Sequence, residues 1–259
     1  MTKIGLFDSG VGGLTLLKEL LKLMPDHSYV YFGDTARCPY GPKSPETILR
    51  YSLENAAFLL THDIDLLLVA CNTASAVALK DLQKKLHVPV LGVIEPACVR
   101  ACEVTKTKRI GVIGTKTLIN SGSYQKQIAA VLPDAHIVAK ACPLFVPLVE
   151  EHVMDPTIIC PIIKKHLAPV LQEDVDTLLL GCTHYPLLRE YIQQEMGPYV
   201  TIVDPASVAA EKVFDLQKDK KVAPVRHHFF TSDDPATFQE IGKAFLGIPL
   251  HDVQKITFS

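Results

Sequence analysis

Short apolar runs bounded by Gly, Pro or polar residues recur along this chain, and their alternation with longer segments constrains the fold more than any other feature. The runs are KIGLF (3–7), YVYFG (29–33), LLLVA (66–70), VPVLGV (88–93), RIGVIG (109–114), HIVAKA (136–141), TLLLG (177–181) and VTIVD (200–204). Helix-length segments such as 13–23, 44–60 and 187–196 lie between them. Strands that alternate with helices imply right-handed crossovers and parallel sheets. Continuously apolar strands fit sheets covered by helices on both faces. The expectation is therefore an α/β fold with mainly parallel sheets. HHFFTSD (227–233) followed by PATFQEIGKAFLG reads as one last strand and helix, with Gly247 as the C-terminal cap. The polar stretch within 214–224 reads as a loop or frayed helix end.

The 259 residues suffice for one large unit or for two domains of about 100 to 150 residues each. An internal echo favours a duplication. Asp65 stands six residues before Cys71 and Asp176 six before Cys182, and each pair spans an apolar strand. KIGLFDSGVGG is echoed by RIGVIGTKTLI in the same way.

Net charge is −2 with no sustained basic block, which argues against a nucleic acid or anionic membrane partner and leaves a small molecule. No apolar run reaches the roughly 20 residues that span a bilayer, and the N-terminal apolar segment is short for a signal peptide. The expected location is the cytoplasm. The cysteine count is odd, at seven, with no C-x-x-C pair, so free thiols are expected there.

In open α/β sheets ligands gather beyond the carboxyl ends of strands. The residues just after the apolar runs are Asp8 and Ser9, Asp34, Cys71 to Thr73, Gly114 and Thr115, and Cys182 to His184. DSGVGG opens a helix, where free amides favour an anion. It fails as a dinucleotide fingerprint, because Thr15 stands where the third glycine belongs, although Asp34 imitates the ribose-binding acid. Cys38, Cys98, Cys102, Cys142 and Cys160 read as inert packing residues. Cys71 and Cys182 read as reactive, since each ends a strand beside helix-start amides that would lower a thiol pKa from about 8.5. His184 could serve a metal, the surface or acid/base chemistry, but a lone C-x-H is poor evidence for zinc. His87, His227 and His228 read as surface residues. Asp8 is either a helix cap or a base, and the default for Glu150 beside Glu151 is an exposed helical face.

Taken together, GLFDSGVGGLTLL (5–17), YFGDTARCPYGPKS (31–44), VACNTASA (69–76), GVIEP (92–96), GVIGT (111–115), LFVPLVE (144–150), GCTHYPLL (181–188) and TSDDP (231–235) resemble the motifs of the glutamate racemases, in the family's order. The resemblance covers nearly the whole chain. It implies two pseudo-symmetric α/β domains facing across an active-site cleft, with 1–95 plus 208–259 forming the first and 96–207 the second. It further implies racemisation of L- and D-glutamate without a cofactor or metal, supplying D-glutamate for peptidoglycan and hence for cell shape. On this resemblance Cys71 deprotonates D-glutamate and Cys182 L-glutamate. Asp8 assists Cys71, His184 assists Cys182, and Glu150 orients or tunes that second side. Substrate contacts fall to Ser9, Tyr40, Gly41, Asn72, Thr73, Thr115 and Thr183, with Asp8 and His184. Asp233 stands where relatives often carry glycine, which bears only on the local turn. A homodimer is the expected assembly.

Three other readings compete. A sister racemase would act on aspartate or another small amino acid. A non-catalytic amino-acid or nucleotide-binding module would tolerate loss of both thiols. A thiolate metal site would use Cys71, Cys182 and His184.

Overall fold

The computed structural model describes residues 2–217 and 225–258. In chain order the elements are β1 (Lys3–Asp8), α1 (Leu14–Leu23), β2 (Ser28–Gly33), α2 (Pro45–Leu60), β3 (Leu66–Val69), α3 (Asn72–Lys85), β4 (Val90–Gly92) and α4 (Ile94–Val104). There follow β5 (Arg109–Gly114), α5 (Lys116–Ser121), α6 (Ser123–Val131), β6 (His136–Ala141), α7 (Phe145–Glu150), α8 (Pro156–Leu171), β7 (Thr177–Gly181), α9 (Arg189–Met196) and β8 (Thr201–Val203). The chain closes with α10 (Pro205–Gln217), β9 (His227–Thr231), α11 (Pro235–Leu246) and β10 (Val253–Lys255).

Two parallel sheets result. The first has the order β10-β9-β2-β1-β3-β4 and the second β6-β5-β7-β8. Stripped of β9 and β10, the first sheet repeats the order of the second, so the sequence echo is an echo of topology. It extends to detail. Asp65 N donates to Lys3 O at 2.8 Å while Asp65 Oδ2 accepts from Lys3 N at 2.7 Å. Asp176 N likewise donates to Arg109 O at 3.0 Å, and its carboxylate accepts from Lys106 N and Thr107 N at 2.7 and 2.6 Å. Each aspartate thus ties the start of one central strand to its neighbour.

This strand order places the switch point between β1 and β3 in one sheet and between β5 and β7 in the other. Crossovers leave in opposite directions there, and the crevice beyond the strand ends is open to a ligand. Asp8 and Cys71 stand at the first crevice, Thr115 and Cys182 at the second. One apolar cluster runs from Ile4, Leu6 and Tyr31 through Leu16, Ala101 and Ala210 to Val112 and Leu179, joining the two sheets. A second, with Phe7, Phe32, Leu67 and Leu82, fills the other face of the first sheet.

Local chemistry explains the element ends. Pro45 begins α2 and Ser44 Oγ caps it, accepting from Thr47 N at 3.3 Å. Gly247 ends α11 in the left-handed region at φ +84°, as its type predicts. Residues 214–217 form the end of α10, the helix-end alternative of the sequence reading, and 218–224 lie outside the described residues. One expectation needs amendment. The last strand is not single: β10 adds three residues at the sheet edge, too short and too polar to register as an apolar run.

Candidate active site

Cys71 and Cys182 line one small cavity, contributed by the ends of β3 and β7. Its other walls include Ser9, Tyr40, Gly41, Asn72, Thr73, Thr115, Thr183 and His184, all expected from the sequence, and Cys38, Pro39 and Val146, which were not. Contacts between the halves close it: Thr73 Oγ1 lies 2.9 Å from Thr115 Oγ1, and Thr117 N donates to Gly41 O at 3.2 Å. The space open to the centre of a water molecule is about 20 Å³, room for a water or two and not for an amino acid. The structure is that of a shut site.

Each thiol has its own surroundings. Cys71 caps α3 in an extended conformation, with Ala74 N donating to its Sγ at 3.5 Å and Ser9 Oγ 3.8 Å away. The helix-start amide was expected to lower its pKa. Instead the thiol is pushed up to about 12, because burial and then the nearby Asp8 carboxylate outweigh the Ala74 and Ser9 contacts. Asp8 is wholly buried at the end of β1, where its Oδ2 accepts from Gly10 N at 3.0 Å and its Oδ1 from Thr183 Oγ1 at 3.4 Å. Burial raises its pKa, against the pull of His184 and the loop amides.

On the other side Cys182 Sγ stands 3.9 Å from His184 Nδ1, and His184 Nε2 lies 2.8 Å from Glu150 Oε1. Burial disfavours a charged imidazole here, yet the contacts with Cys182 and Glu150 prevail and hold the pKa at about 10. These two contacts favour the imidazolium form of His184, which is wedged between the Cys182 sulfur and a carboxylate. Asp8 and Glu150 do not line the cavity; each stands behind a residue that does. Between the two sides, Gly12 permits the approach of the DSGVGG loop: a Cβ there would lie 2.7 Å from His184 Nδ1 and closer still to Thr183 Oγ1.

Asp34, the imitation ribose ligand, has a different task. Fully buried, it receives Arg37 Nε at 2.9 and 2.8 Å on its two oxygens, Ser232 Oγ at 2.8 Å, and the Tyr40 hydroxyl. Arg37 lies between the Tyr51 and Phe258 rings, 4.0 and 4.5 Å from their centroids, and donates to Glu54 and Asn55. This network fixes the loop that carries Tyr40 and Gly41. Since Asn55 Nδ2 donates to the Tyr40 hydroxyl at 3.0 Å while that hydroxyl serves Asp34, Tyr40 offers the cavity its ring and backbone rather than a free hydroxyl.

Cys38 is the main correction among the cysteines. Read as an inert packing residue, it instead lines the cavity, with its Sγ 3.8 Å from Glu150 Oε1. The two residues are 112 apart in sequence, so no local pattern could pair them. Among the described residues no group of three His, Cys, Asp or Glu side chains is placed to hold a metal ion, and no helix is long and apolar enough to cross a membrane.

Two parallel sheets of one topology, each ending a central strand in a thiol at a shared polar cavity, define an amino-acid racemase. The chain belongs to the Asp/Glu/Hydantoin racemase family, whose model matches residues 14–213. It is 50% identical to the glutamate racemase of Geobacter metallireducens, over 98% of this chain and 96% of that one. Glutamate racemase isoform RacE1 from Bacillus anthracis superposes with a TM-score of 0.94 at 40% identity, covering 99% of this chain and 98% of its own. The Francisella tularensis glutamate racemase, solved in complex with D-glutamate, gives 0.92 at 32% identity, covering 99% and 97%.

Proposed function

We propose that this protein interconverts L- and D-glutamate by two-base chemistry at the α-carbon, with Cys182 and Cys71 as the bases. The observation that carries the reading is the pair of strand-end thiols in one closed cavity, each with a different partner. The names of its relatives support glutamate as the substrate. Bound between the thiols, L-glutamate gives its α-proton to the Cys182 thiolate, and the Cys71 thiol returns a proton to the opposite face. The reverse reaction exchanges the roles.

The α-proton of an amino acid is a very weak acid, so a useful base must itself be strong. A Cys71 thiol pushed up to about 12 is a poor source of thiolate at neutral pH and a strong base once ionised. The substrate ammonium supplies the compensating charge when it binds in the closed, water-poor site. His184, held on one side by Glu150, stands beside Cys182 as its acid–base partner. Asp8 supports the Cys71 side, and Ser9, Gly41, Asn72, Thr73, Thr115 and Thr183 supply donors to the substrate and to charge that develops on its carboxylate. In this reading the chain comprises a first domain of 1–95 plus 208–259 and a second of 96–207, acts in the cytoplasm as a homodimer, and supplies D-glutamate for peptidoglycan.

The test is incubation with D-glutamate in deuterated water, followed by circular dichroism and by NMR of the α-proton. Optical signal decaying toward zero while deuterium enters the α-position is expected, with racemisation lost in Cys71→Ser and Cys182→Ser. A chain inert to both glutamate enantiomers overturns the reading, and turnover of aspartate alone would reassign the substrate.

A further inference from the structure

Cys38 is the third thiol at this cavity, and the function proposed above leaves it unused. It stands on the loop fixed by the Asp34–Arg37 network, so its place is set by a buried charge pair and not by a freely moving segment. The DSGVGG loop is shaped around it as well: a Cβ at Gly10 would come within 3.1 Å of Cys38 Sγ. The thiol and Pro39 form part of the wall between the catalytic cavity and a neighbouring one of about 260 Å³. Glu150, whose side chain is 30% exposed, faces that second cavity and has room to turn into it. What restrains its Oε1 is a pair of contacts, His184 Nε2 at 2.8 Å and Cys38 Sγ at 3.8 Å.

We propose that Cys38 is a positioning residue of the reaction: its thiol donates to Glu150 Oε1, the same oxygen that accepts from His184, and so keeps the carboxylate on the histidine beside Cys182. The contact crosses from the first sheet's loops to α7 of the second half, so it forms only when the two halves are together. Burial, and after it the charge of Glu150, pushes the Cys38 thiol upward, which keeps it protonated and able to donate. The titratable groups that face Glu150 and His184 are Cys38, Cys182 and Asp8, with Asp233 and Asp234 across the neighbouring cavity. None of these but Cys38 can donate to Glu150 without first taking up a proton or moving.

The role assigned to His184 rests on the racemase reading, so the primary readout is independent of activity. Nitrogen-15 NMR of the histidine side chains follows His184 in the wild type, Cys38→Ala, Cys38→Val and Cys38→Ser. The valine variant keeps the volume without the donor and serves if alanine does not fold. Loss of the donor is expected to lower the His184 titration midpoint by about one pH unit, and serine to restore it. In turnover assays kcat from L-glutamate, whose proton goes to Cys182, falls several-fold more than kcat from D-glutamate. The two kcat/KM values must fall together, because the equilibrium constant between enantiomers is one. An unchanged midpoint in the alanine and valine variants, or an equal shift in the serine variant, overturns the proposal. Inactivity of the wild type with an altered midpoint in Cys38→Ala would sink the racemase reading and leave the positioning contact standing.

Discussion

Gly12→Ala isolates the contact on which the two halves of the site depend. The backbone at Gly12 is not among those with positive φ, so alanine fits its conformation and the only change is a methyl group. That methyl carbon would sit 2.7 Å from His184 Nδ1 and 2.8 Å from His184 Cε1, where ordinary contact begins at 3.4 Å, and it would press harder still on Thr183 Oγ1. Thr183 and His184 are buried in the turn that follows β7, so they cannot swing aside into solvent. Either the histidine leaves Cys182 or the loop withdraws from the second half. Overpacking of this kind costs about 1–3 kcal/mol of stability. A displacement of roughly 1 Å at the reacting groups costs about a hundredfold in rate. The assay is racemisation of D-glutamate by circular dichroism, with thermal unfolding in parallel. Gly197→Ala is the control, since it has open space around its Cβ but a φ of +84°. That variant should lose stability with no loss of activity per folded molecule. A Gly12→Ala enzyme within about threefold of wild type, far short of the hundredfold loss, would refute the argument that the halves meet through this glycine.

Two other perturbations test the electrostatics. Glu150→Gln removes the charge that faces His184 and should lower the histidine's midpoint from about 10 by roughly 1–2 units, the worth of one charged hydrogen bond. Because that pKa is raised on folding, the stabilisation is full below the ordinary value of 6.5 and is lost as pH climbs through about 10; an unmoved NMR titration would contradict this. Asp176→Asn tests the opposite sign, since Thr105, Thr107 and Lys106 donors overcome the cost of burial and hold this carboxyl at about 2. Its contribution is present above the ordinary 3.8 and disappears as pH falls through about 2, so denaturant melts should show the variant weaker at neutral pH and equal to wild type in strong acid. A gap that does not close in acid would assign the loss to packing.

Strand ends were legible because an apolar run that stops at a polar residue has a fixed meaning in a parallel sheet. Cys71, Cys182, Asp8 and Thr115 could all be placed at sheet edges by counting. That Cys71, Thr115 and Cys182 share one cavity, with Asp8 behind it, was implied by the resemblance alone. Three things were not legible. Cys38 meets Glu150 across the fold, and a thiol among apolar neighbours looks the same whether it packs or donates. Asp34 was conspicuous, but its partners Arg37, Tyr40 and Ser232 come from a loop and from the far end of the chain. The direction of the Cys71 shift depended on how much burial and Asp8 outweigh one amide, a balance of magnitudes that a residue list does not carry.

The network around Arg37 also bears on when the setting of the Tyr40 loop can be completed during synthesis. Both thiols, His184 and Glu150 lie within the first 184 residues, yet Ser232 and Phe258, which complete the setting of Asp34 and Arg37, come just after β9 and β10. A nascent chain that has exposed all of these groups still lacks the far side of the clamp on the Tyr40 loop. The clamp on that loop is therefore completed only once residues 232 and 258 are in place, however many of the cavity's residues have already emerged.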